Sequence, residues 1–266
     1  MQDFFDYPES KSKDEKDRKF VEALARGLEI LRAFGQKGGL LGNQDIASIT
    51  GLPKPTVSRL TYTLTKLGYL TYSPSLEKYQ LDSGVLALGS AYTSQLQVRQ
   101  VAKPYMDAMA KRAQVSVGLA TRERLSMIFV SYSRSDDAQS LRVEVGSRLP
   151  MATSAIGRGF LAMVTAEERE FFMQHLQKKY SEQEWPAIKA DIDASIAEYN
   201  EKGYTSAYAA WDRNVNAVAV PLKLRDDKIV CLSCGGPSYM FSKENLENVL
   251  APQLIHLGRD IMGAGV

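Results

Sequence analysis

The chain has 266 residues, of which 44% are hydrophobic and 24% are charged, and its net charge is +2. These values are ordinary for a soluble globular protein made of a small and a medium domain. The near-neutral charge excludes a histone-like coating protein, so any nucleic-acid binding must come from a local patch. No apolar run approaches a membrane span and the N-terminus does not read as a signal peptide, so we expect a cytoplasmic protein without a membrane partner.

The N-terminal residues predict an arm followed by a helix. Residues 1–19 mix acids and bases densely, which is typical of a flexible arm. Residues 20–34 then place apolar side chains at helical spacing, which predicts an amphipathic helix. That stripe comprises Val21, Leu24, Leu28, Leu31 and Phe34. Gly38 and Gly39 mark the break after it.

Residues 43–66 predict two helices joined by a tight turn. Asn43 is a good N-cap for the first helix, because its side-chain oxygen can accept from a free backbone N–H. Gly51 ends that helix, since glycine takes the left-handed conformation of a tight C-terminal turn. Leu52 can fill the corner between the helices. The apolar stripe of the first helix is Ile46, Ala47 and Ile49.

The second helix of this pair has two contrasting faces. It begins near Pro55, whose missing N–H is harmless in a first turn. The predicted buried face carries Val57, Leu60, Leu64 and Leu67. The opposite face carries short hydroxyls, a ring and two cations: Thr56, Ser58, Arg59, Tyr62, Thr63 and Lys66. A helix of this kind can enter the major groove. An ordinary helical hairpin with a solvated face is the alternative that spacing alone leaves open.

Two neighbouring features favour the groove-reading interpretation. Residues 30–70 contain five basic residues and only one acid, Asp45, so the local charge suits a polyanion. Residues 69–72 and 78–81, separated by a turn, then predict a hairpin wing. We therefore predict a winged helix-turn-helix domain over residues 20–82 that binds double-stranded operator DNA. Its predicted contacts are Lys54, Thr56, Ser58, Arg59, Tyr62, Thr63, Lys66 and Lys78.

Residues 83–99 predict one continuous helix between two domains. Its apolar side carries Val85, Leu88, Tyr92 and Leu96, with no core of its own nearby in sequence. We interpret it as a linker helix. A helix packed only within its own chain is the alternative.

Residues 100–266 predict an α+β domain with helices on one side of a sheet. The predicted strands are residues 115–119, residues 127–130, an alternating stretch through Leu141, Val143 and Val145, and a hairpin of residues 218–224 and 228–233. The predicted helices are residues 100–113, 154–164, 166–177, 185–202 and 242–262, the last capped by Ser242.

Catalytic motifs are absent from the sequence. Gly157-Arg158-Gly159 lacks the third glycine of a dinucleotide fingerprint, and two histidines provide little acid–base capacity. We expect no catalytic residues, no cofactor and no metal site. Cys231 and Cys234 lie three apart on a predicted strand, where they point to opposite faces, so we expect buried, reduced thiols.

A ligand site is more plausible than an active site. Residues 147–157 are irregular and run into a helix start, where free backbone N–H groups can bind an anion. Ser154, Ala155, Ile156 and Gly157 could cradle a carboxylate, although a plain helix capped by Ser154 or Thr153 is the alternative. Four larger side chains could form walls or could be plain core: Leu119, Phe129, Tyr132 and Trp211.

The sequence resembles the IclR family of bacterial transcriptional regulators, collinearly over nearly all of the chain after Lys19. The residues that carry the resemblance are 25–31 (Ala-Arg-Gly-Leu-Glu-Ile-Leu), 50–54 (Thr-Gly-Leu-Pro-Lys), 56–60 (Thr-Val-Ser-Arg-Leu), 67–70, 78–81, 145–157 (Val-Gly-Ser-Arg-Leu-Pro-Met-Ala-Thr-Ser-Ala-Ile-Gly), 202–204, 218–222 and 236–237. The resemblance implies a winged helix-turn-helix domain, a linker helix (residues 83–99) that helps to dimerise it, and a GAF/PAS-like effector domain over residues 100–266.

The resemblance also implies a regulator that forms a homodimer or homotetramer and answers to a small organic acid. The pocket that it implies comprises Leu149, Met151, Ser154, Ala155, Ile156, Ala207, Ala217, Ser233 and Gly235. Some members carry an acid near Ala207 and a polar or thiol group near Ala217. Residues 204–211 are instead poor in acids and rich in aromatic rings, which favours a bulkier, more aromatic effector. A sensor or scaffold without DNA binding, and a metabolite-binding enzyme, remain the alternative functions.

Overall fold

The computed structural model describes residues 19–134 and 143–266. The chain divides between Gln95 and Leu96 into two compact units, each with its own apolar core. The predicted flexible arm, apart from Lys19, lies outside the described residues, as does Leu141. No helix in the described ranges is long and apolar enough to cross a membrane.

The N-terminal unit is a winged helix-turn-helix, as the sequence predicts. Its elements are α1 (Glu22–Lys37), α2 (Asn43–Thr50), α3 (Lys54–Lys66), β1 (Leu70–Ser73), β2 (Lys78–Leu81) and α4 (Ser83–Gln95). Gly51 ends α2 in the left-handed conformation (φ 70°), and Leu52 is buried beneath the turn. The wing is anchored by Leu41, which exchanges two backbone hydrogen bonds with Tyr79 (3.0 and 2.8 Å).

Two predictions about these helices are wrong in detail. Gly42, not Asn43, is the N-cap of α2, and its N–H donates to the Asp45 carboxylate (3.1 Å). Leu67 is 64% exposed, whereas Thr61 is fully buried in its place. At 3.6 residues per turn, Leu67 lies roughly 90° away from the centre of the buried face, while Thr61 lies close to it. Thr61 tolerates burial because its hydroxyl donates to the Val57 carbonyl (2.9 Å).

Helix α1 buries only the second half of the predicted stripe, where Phe34 is in the core and Leu31 packs against it. Ile30, Ala33 and Phe34 are buried against α2 and α3. The predicted residues of the first two turns, Val21, Leu24 and Leu28, are 49–62% exposed. Helix α4 also exposes apolar side chains, with Leu86 at 71%, Leu88 at 58% and Tyr92 at 49%. The N-terminal unit therefore presents apolar surface that its own core does not cover.

The predicted continuous linker helix is interrupted. Helix α4 ends at Gln95, Leu96 is non-helical (φ −82°, ψ 89°), and the next helix begins at Gln97. Val98, which falls inside the predicted linker, is 2% exposed in the core of the C-terminal unit. The hydrophobic pattern alone does not show this break, because both helices carry apolar residues at similar spacing.

The C-terminal unit contains a six-stranded antiparallel sheet in the order β5-β4-β3-β8-β7-β6. The strands are β3 (Ser116–Glu123), β4 (Ser126–Arg134), β5 (Arg148–Pro150), β6 (Thr205–Tyr208), β7 (Val215–Lys223) and β8 (Ile229–Pro237). The helices are α5 (Gln97–Ala113), α6 (Ala155–Met163), α7 (Ala166–Gln177), α8 (Trp185–Lys202), α9 (Lys243–Asn245), a π-helical turn (Leu246–Leu250) and α10 (Ala251–Gly263).

Helices cover both faces of this sheet, so the prediction of helices on one side is wrong. Val117 and Leu232 belong to an apolar cluster shared with α5 and α10. Ala120 and Cys231 belong to a second cluster shared with α6, α7 and α8. Burial on both faces explains the near-continuous apolar run in β7, which a sheet covered on one side does not require.

The predicted strand through Val143 and Val145 is not formed in the residues that the structure describes. The chain turns at Gly146 (φ 93°), and Phe129 of β4 exchanges backbone hydrogen bonds with Gly146 and Ser147. The short strand β6 was not predicted. Ser242 does cap the C-terminal helical segment, accepting from the Asn245 N–H (3.2 Å).

Strand β6 is one edge of the sheet, and a side chain closes it. Glu198 of α8 accepts from both the Ser206 N–H and the Ser206 hydroxyl, each at 2.8 Å. Lys202 lies beside the same carboxylate at 3.9 Å. The outward backbone donor of Ser206 is therefore satisfied within the chain.

Candidate DNA-binding surface and effector pocket

Helix α3 has a polar, exposed face, and the burial of its opposite, apolar face fixes the direction in which the polar face points. Val57 and Leu64 pack in the core with α1 and α2, which fixes the rotation of the helix about its axis. The other side carries most of the residues predicted to contact DNA: Lys54, Ser58, Arg59, Tyr62, Thr63 and Lys66 are exposed, and Thr56 is half-buried. An exposed row of hydroxyls and cations on a supported helix can reach base edges and phosphates.

The cations of this face are available to an outside anion. Within the described residues, Lys54, Arg59 and Lys66 form no ion pair with an acid. Lys66 Nζ lies 5.5 Å from the centroid of the Tyr62 ring, a cation–π distance. The contact with the ring does not neutralise the charge of Lys66, so the face keeps an electrostatic attraction for phosphate.

A groove of about 660 Å³ runs between the start of α1 and α3. Glu22, Ala23 and Arg26 line it from α1, opposite the polar side chains of α3. Arg26 pairs with Glu22, so one of the two arginines in the groove is partly neutralised and Arg59 is not. The candidate surface thus extends onto α1, and Arg26 is a member that the sequence-based list omitted. The position of Arg26 on the polar side of the predicted first helix was the signal in the sequence that could have identified it.

Lys78 lies on the wing and not on α3. It is half-buried at the start of β2, where it pairs in register with Ser73. Residues 74–77 form the exposed tip beside it, and Glu77 takes a left-handed conformation (φ 51°). Lys78 therefore sits at the end of the hairpin next to its turn.

Helix α6 begins with the cap that the sequence allowed. Ser154 Oγ accepts from the Gly157 N–H (3.1 Å) and donates to the Pro150 carbonyl (2.6 Å). Ser154, and not Thr153, is thus the N-cap. The cap leaves the N–H groups of Ala155 and Ile156 as first-turn donors, and both residues are almost fully buried.

The loop before α6 folds closely over the helix start. A Cβ atom at Gly157 would lie 2.2 Å from the Met151 carbonyl oxygen, so only glycine fits there. On the other side, the Thr205 hydroxyl donates to the Ala155 carbonyl (2.8 Å). The first turn of α6 is therefore fixed between its own loop and strand β6.

Most of the predicted effector residues meet on the α6 side of the sheet. Phe129, Met151, Ala155, Ile156 and Ala207 are buried in one cluster, with Leu149 and Ala217 packed against it. Ser233 and Gly235 of β8 lie on the same face, because they pair with Ala219 and Ala217 of that cluster. Ser233, Gly235 and Ala217 are only half-buried, so the floor that they form is accessible beside the α6 start.

Two predicted residues do not join this group. Leu119 is fully buried on the opposite face of the sheet, in the cluster of α5 and α10. Trp211 is half-buried in the loop between β6 and β7 and belongs to neither cluster. Leu119 therefore packs against α5 and α10 and cannot contact a ligand beside α6.

Arg158 ties the pocket loop to α8. Its side chain is 6% exposed, and its guanidinium donates to the Ala152 carbonyl (3.0 Å), to Asp191 (3.0 Å) and to Ser195 Oγ (3.5 Å). Burial lowers the pKa of Arg158, and the Asp191 carboxylate opposes that change. In the sequence, Arg158 is notable only as the middle residue of Gly157-Arg158-Gly159. Its role in connecting the pocket loop to α8 was therefore not predicted.

The thiols and the acidic groups in the described parts of the chain form no metal-binding cluster. Cys231 and Cys234 are both free and buried, and they belong to the two opposite clusters, as their strand spacing predicts. Burial raises the pKa of both thiols, that of Cys234 to about 12. These cysteines are packing residues in their protonated form.

A winged helix-turn-helix joined in one chain to a separate α+β domain is an arrangement typical of DNA-binding regulators. Residues 23–74 match the family model of the IclR helix-turn-helix domain, and residues 90–262 match that of the bacterial transcriptional regulator IclR C-terminal domain. The chain therefore belongs to the IclR family and is a transcriptional regulator with a helix-turn-helix DNA-binding domain.

Individual relatives agree with this assignment. The chain is 33% identical over 244 residues to the HTH-type transcriptional regulator TsaQ1/TsaQ2 of Comamonas testosteroni, covering 91% of this chain and 87% of that protein. It is 43% identical to an IclR family transcriptional regulator from Brucella abortus of known crystal structure, with a TM-score of 0.85 over 95% of this chain and 96% of that one. An IclR homologue from Microbacterium hydrocarbonoxydans, solved with 4-hydroxybenzoate, shares the fold at 22% identity (TM-score 0.68, covering 91% and 99%).

Proposed function

We propose that this regulator binds a specific operator in double-stranded DNA through α3 and the wing, and that a small organic acid controls that binding. The observation that carries the DNA part is the exposed, acid-free polar face of α3 over a buried apolar face. Its proposed contacts are Lys54, Thr56, Ser58, Arg59, Tyr62, Thr63 and Lys66, with Lys78 from the wing and Arg26 from α1. A bacterial regulator of this kind acts in the cytoplasm, where its DNA lies, and does so without catalysis.

The regulator acts as a dimer in this proposal, with a tetramer as the further possibility. A helix-turn-helix protein reads two half-sites about one helical turn apart when two copies are joined. The exposed apolar residues of α1 and α4, such as Leu24 and Leu86, supply surface that a second copy can bury. Analytical ultracentrifugation at micromolar concentration tests this, and a monomer there would contradict it.

The DNA part is tested on the DNA upstream of the regulator's own gene. Arg59→Ala should weaken binding by about 1–3 kcal/mol if Arg59 reads a guanine edge, and the loss should depend on the operator sequence. Lys178→Ala, at an exposed position in the other unit, is the matched control and should leave the affinity unchanged. Fluorescence anisotropy at two salt concentrations measures both. Equal affinities for wild type and Arg59→Ala would remove Arg59 from the proposal.

The effector is proposed to bind beside the start of α6. Support comes from the free first-turn donors of Ala155 and Ile156 and from the accessible floor of Ala217, Ser233 and Gly235. The homologue from Microbacterium hydrocarbonoxydans was crystallised with 4-hydroxybenzoate, which makes aromatic acids the first compounds to screen.

A thermal-shift screen with benzoate derivatives tests the effector site. A ligand at 100 times its Kd should stabilise the C-terminal unit by about 2.7 kcal/mol. Ala217→Leu, which fills the accessible floor, should abolish the shift without lowering the melting temperature of the free protein. A shift that Ala217→Leu leaves intact would place the ligand elsewhere, and chemical turnover of a bound compound would contradict the non-enzymatic reading.

A further inference from the structure

The α6 side of the sheet contains a buried hydroxyl without a partner. Ser116, the first residue of β3, is 6% exposed; the Tyr132 hydroxyl lies near its Oγ but not in hydrogen-bonding geometry, and Oγ has no other partner among the described residues. A buried hydroxyl that has lost its water without gaining a partner destabilises the folded chain. Such a hydroxyl can accept a partner from outside the chain.

The register of the sheet places Ser116 on the proposed pocket floor. Val117 faces α5 and α10, so the neighbouring positions Ser116 and Gly118 face the α6 side. Across the sheet, Ser116 pairs with Gly235, which in turn pairs with Ala217. Neither of these neighbours has a polar side-chain atom, and on its other side Ser116 pairs with Arg134 of β4.

Tyr132 stands beside this hydroxyl. It pairs with Gly118 on the adjacent strand, and its ring packs edge-on against Phe129 with centroids 5.6 Å apart. Burial raises the pKa of Tyr132, and the nearby Ser116 hydroxyl opposes this only in part. The phenol therefore stays protonated near neutral pH and can donate a hydrogen bond.

Gly118 lies on the same face of the sheet as the two hydroxyls. A Cβ atom there would lie 2.2 Å from the Phe129 ring, so the ring lies directly over the glycine. Across the sheet, Gly118 pairs with Ser233 of β8, Ser233 pairs with Ala219 of β7, and Ala219 pairs with Thr205 of β6. The Thr205 hydroxyl in turn contacts the start of α6. Ser116 lies two residues further along its strand, about 7 Å at 3.4 Å per residue.

We propose that Ser116 and Tyr132 form a polar end of the effector pocket that selects ligands carrying a hydroxyl group remote from their carboxylate. The inference rests on the proposed effector site and adds its chemistry: an aromatic hydroxy acid with its carboxylate at α6 and its hydroxyl between Ser116 and Tyr132. Ser116 Oγ accepts a hydrogen bond from the ligand's hydroxyl group, and the Tyr132 hydroxyl donates one to the oxygen of that group. A ligand without that hydroxyl leaves Ser116 unsatisfied.

The test compares 4-hydroxybenzoate with benzoate by titration calorimetry on the full-length protein. Wild type should bind 4-hydroxybenzoate at least about 10-fold more tightly, and Ser116→Ala and Tyr132→Phe should each reduce that ratio to about two or less. Both variants should keep the wild-type affinity for benzoate. Ser133→Ala is the control, because Ser133 is buried on the opposite face and bonds to Lys103 (3.2 Å), and it should leave the ratio unchanged.

Stability separates ligand selection from a structural role. Ser116→Ala removes a hydroxyl without a partner, so the melting temperature should stay the same or rise, whereas a structural hydroxyl would give a fall. If wild type discriminates between the two acids and Ser116→Ala discriminates equally well, the inference fails while effector binding at α6 stands. If neither acid binds wild type, both the inference and the aromatic-acid part of the proposed function fail.

Discussion

Replacing Arg158 with methionine removes a buried guanidinium that connects the pocket loop to α8. The main loss is the bond to the Ala152 carbonyl, because Ala152 is fully buried and its oxygen gains no water in exchange. An unsatisfied buried acceptor costs about 1–3 kcal/mol. The bond to Asp191 contributes less, since that carboxylate is 61% exposed and returns to water. We therefore expect Arg158→Met to lower the free energy of unfolding of the C-terminal unit by about 1–3 kcal/mol.

Urea denaturation followed by tryptophan fluorescence measures this loss in the correct unit. The two tryptophans of the chain, Trp185 and Trp211, both lie in the C-terminal unit, so the signal does not report on the helix-turn-helix. The m-value should not change if only stability is altered. Arg158→Lys should recover part of the loss, because an ammonium can still donate to one of the three acceptors.

The matched control is another ion pair on the same helix. Lys189 and Asp193 of α8 pair at 2.6 Å, with both side chains 53% exposed. Exposed pairs contribute little, so Lys189→Met should change the free energy of unfolding by less than about 0.5 kcal/mol. If Arg158→Met costs no more than Lys189→Met, the loop is not held by Arg158 and the reasoning is refuted.

Two further predictions concern packing. Because burial raises their pKa values, Cys231 and Cys234 should resist a thiol reagent at pH 8 in the native protein and react fully in denaturant; stoichiometric labelling of the folded chain would contradict their placement. Gly157→Ala should cost about 1–3 kcal/mol, because its Cβ overlaps the backbone of the preceding loop. Gly89→Ala on exposed α4 has open space around it and should be neutral or stabilising by up to about 1 kcal/mol. Equal melting temperatures for the two alanine variants would show that the loop before α6 can move away from the added Cβ without loss of stability.

The helix-turn-helix could be predicted closely because its signals are local. Gly51 ends a helix, and the hydroxyls and cations of α3 alternate with apolar residues over one short stretch. The error at Leu67 and Thr61 has a physical cause, because a hydrophobic pattern favours leucine over threonine at a buried position. The angle around the helix decides it instead, and a threonine that bonds to its own backbone carbonyl can take the buried position.

The pocket was harder to predict because it depends on which helix covers which face. Alternation along β3 shows that Val117 and Leu119 share a face, but it does not show whether α5 or α6 packs there. On the neighbouring strand, Val130 is an extra residue opposite Leu119 and Ala120, and this bulge moves the alternation of β4 by one residue. Ser116 carried no signal at all, since a serine at the start of a strand is ordinary until its hydroxyl is seen to lack a partner.

The carboxylate of Glu198 has a consequence for how copies of this chain can associate. An open sheet margin is a template on which a strand of another molecule can add, and such growth has no natural end. Because the backbone N–H of Ser206 already donates to Glu198, it cannot donate to the backbone of a strand from another molecule. Strand addition at this edge of the sheet is therefore disfavoured at Ser206.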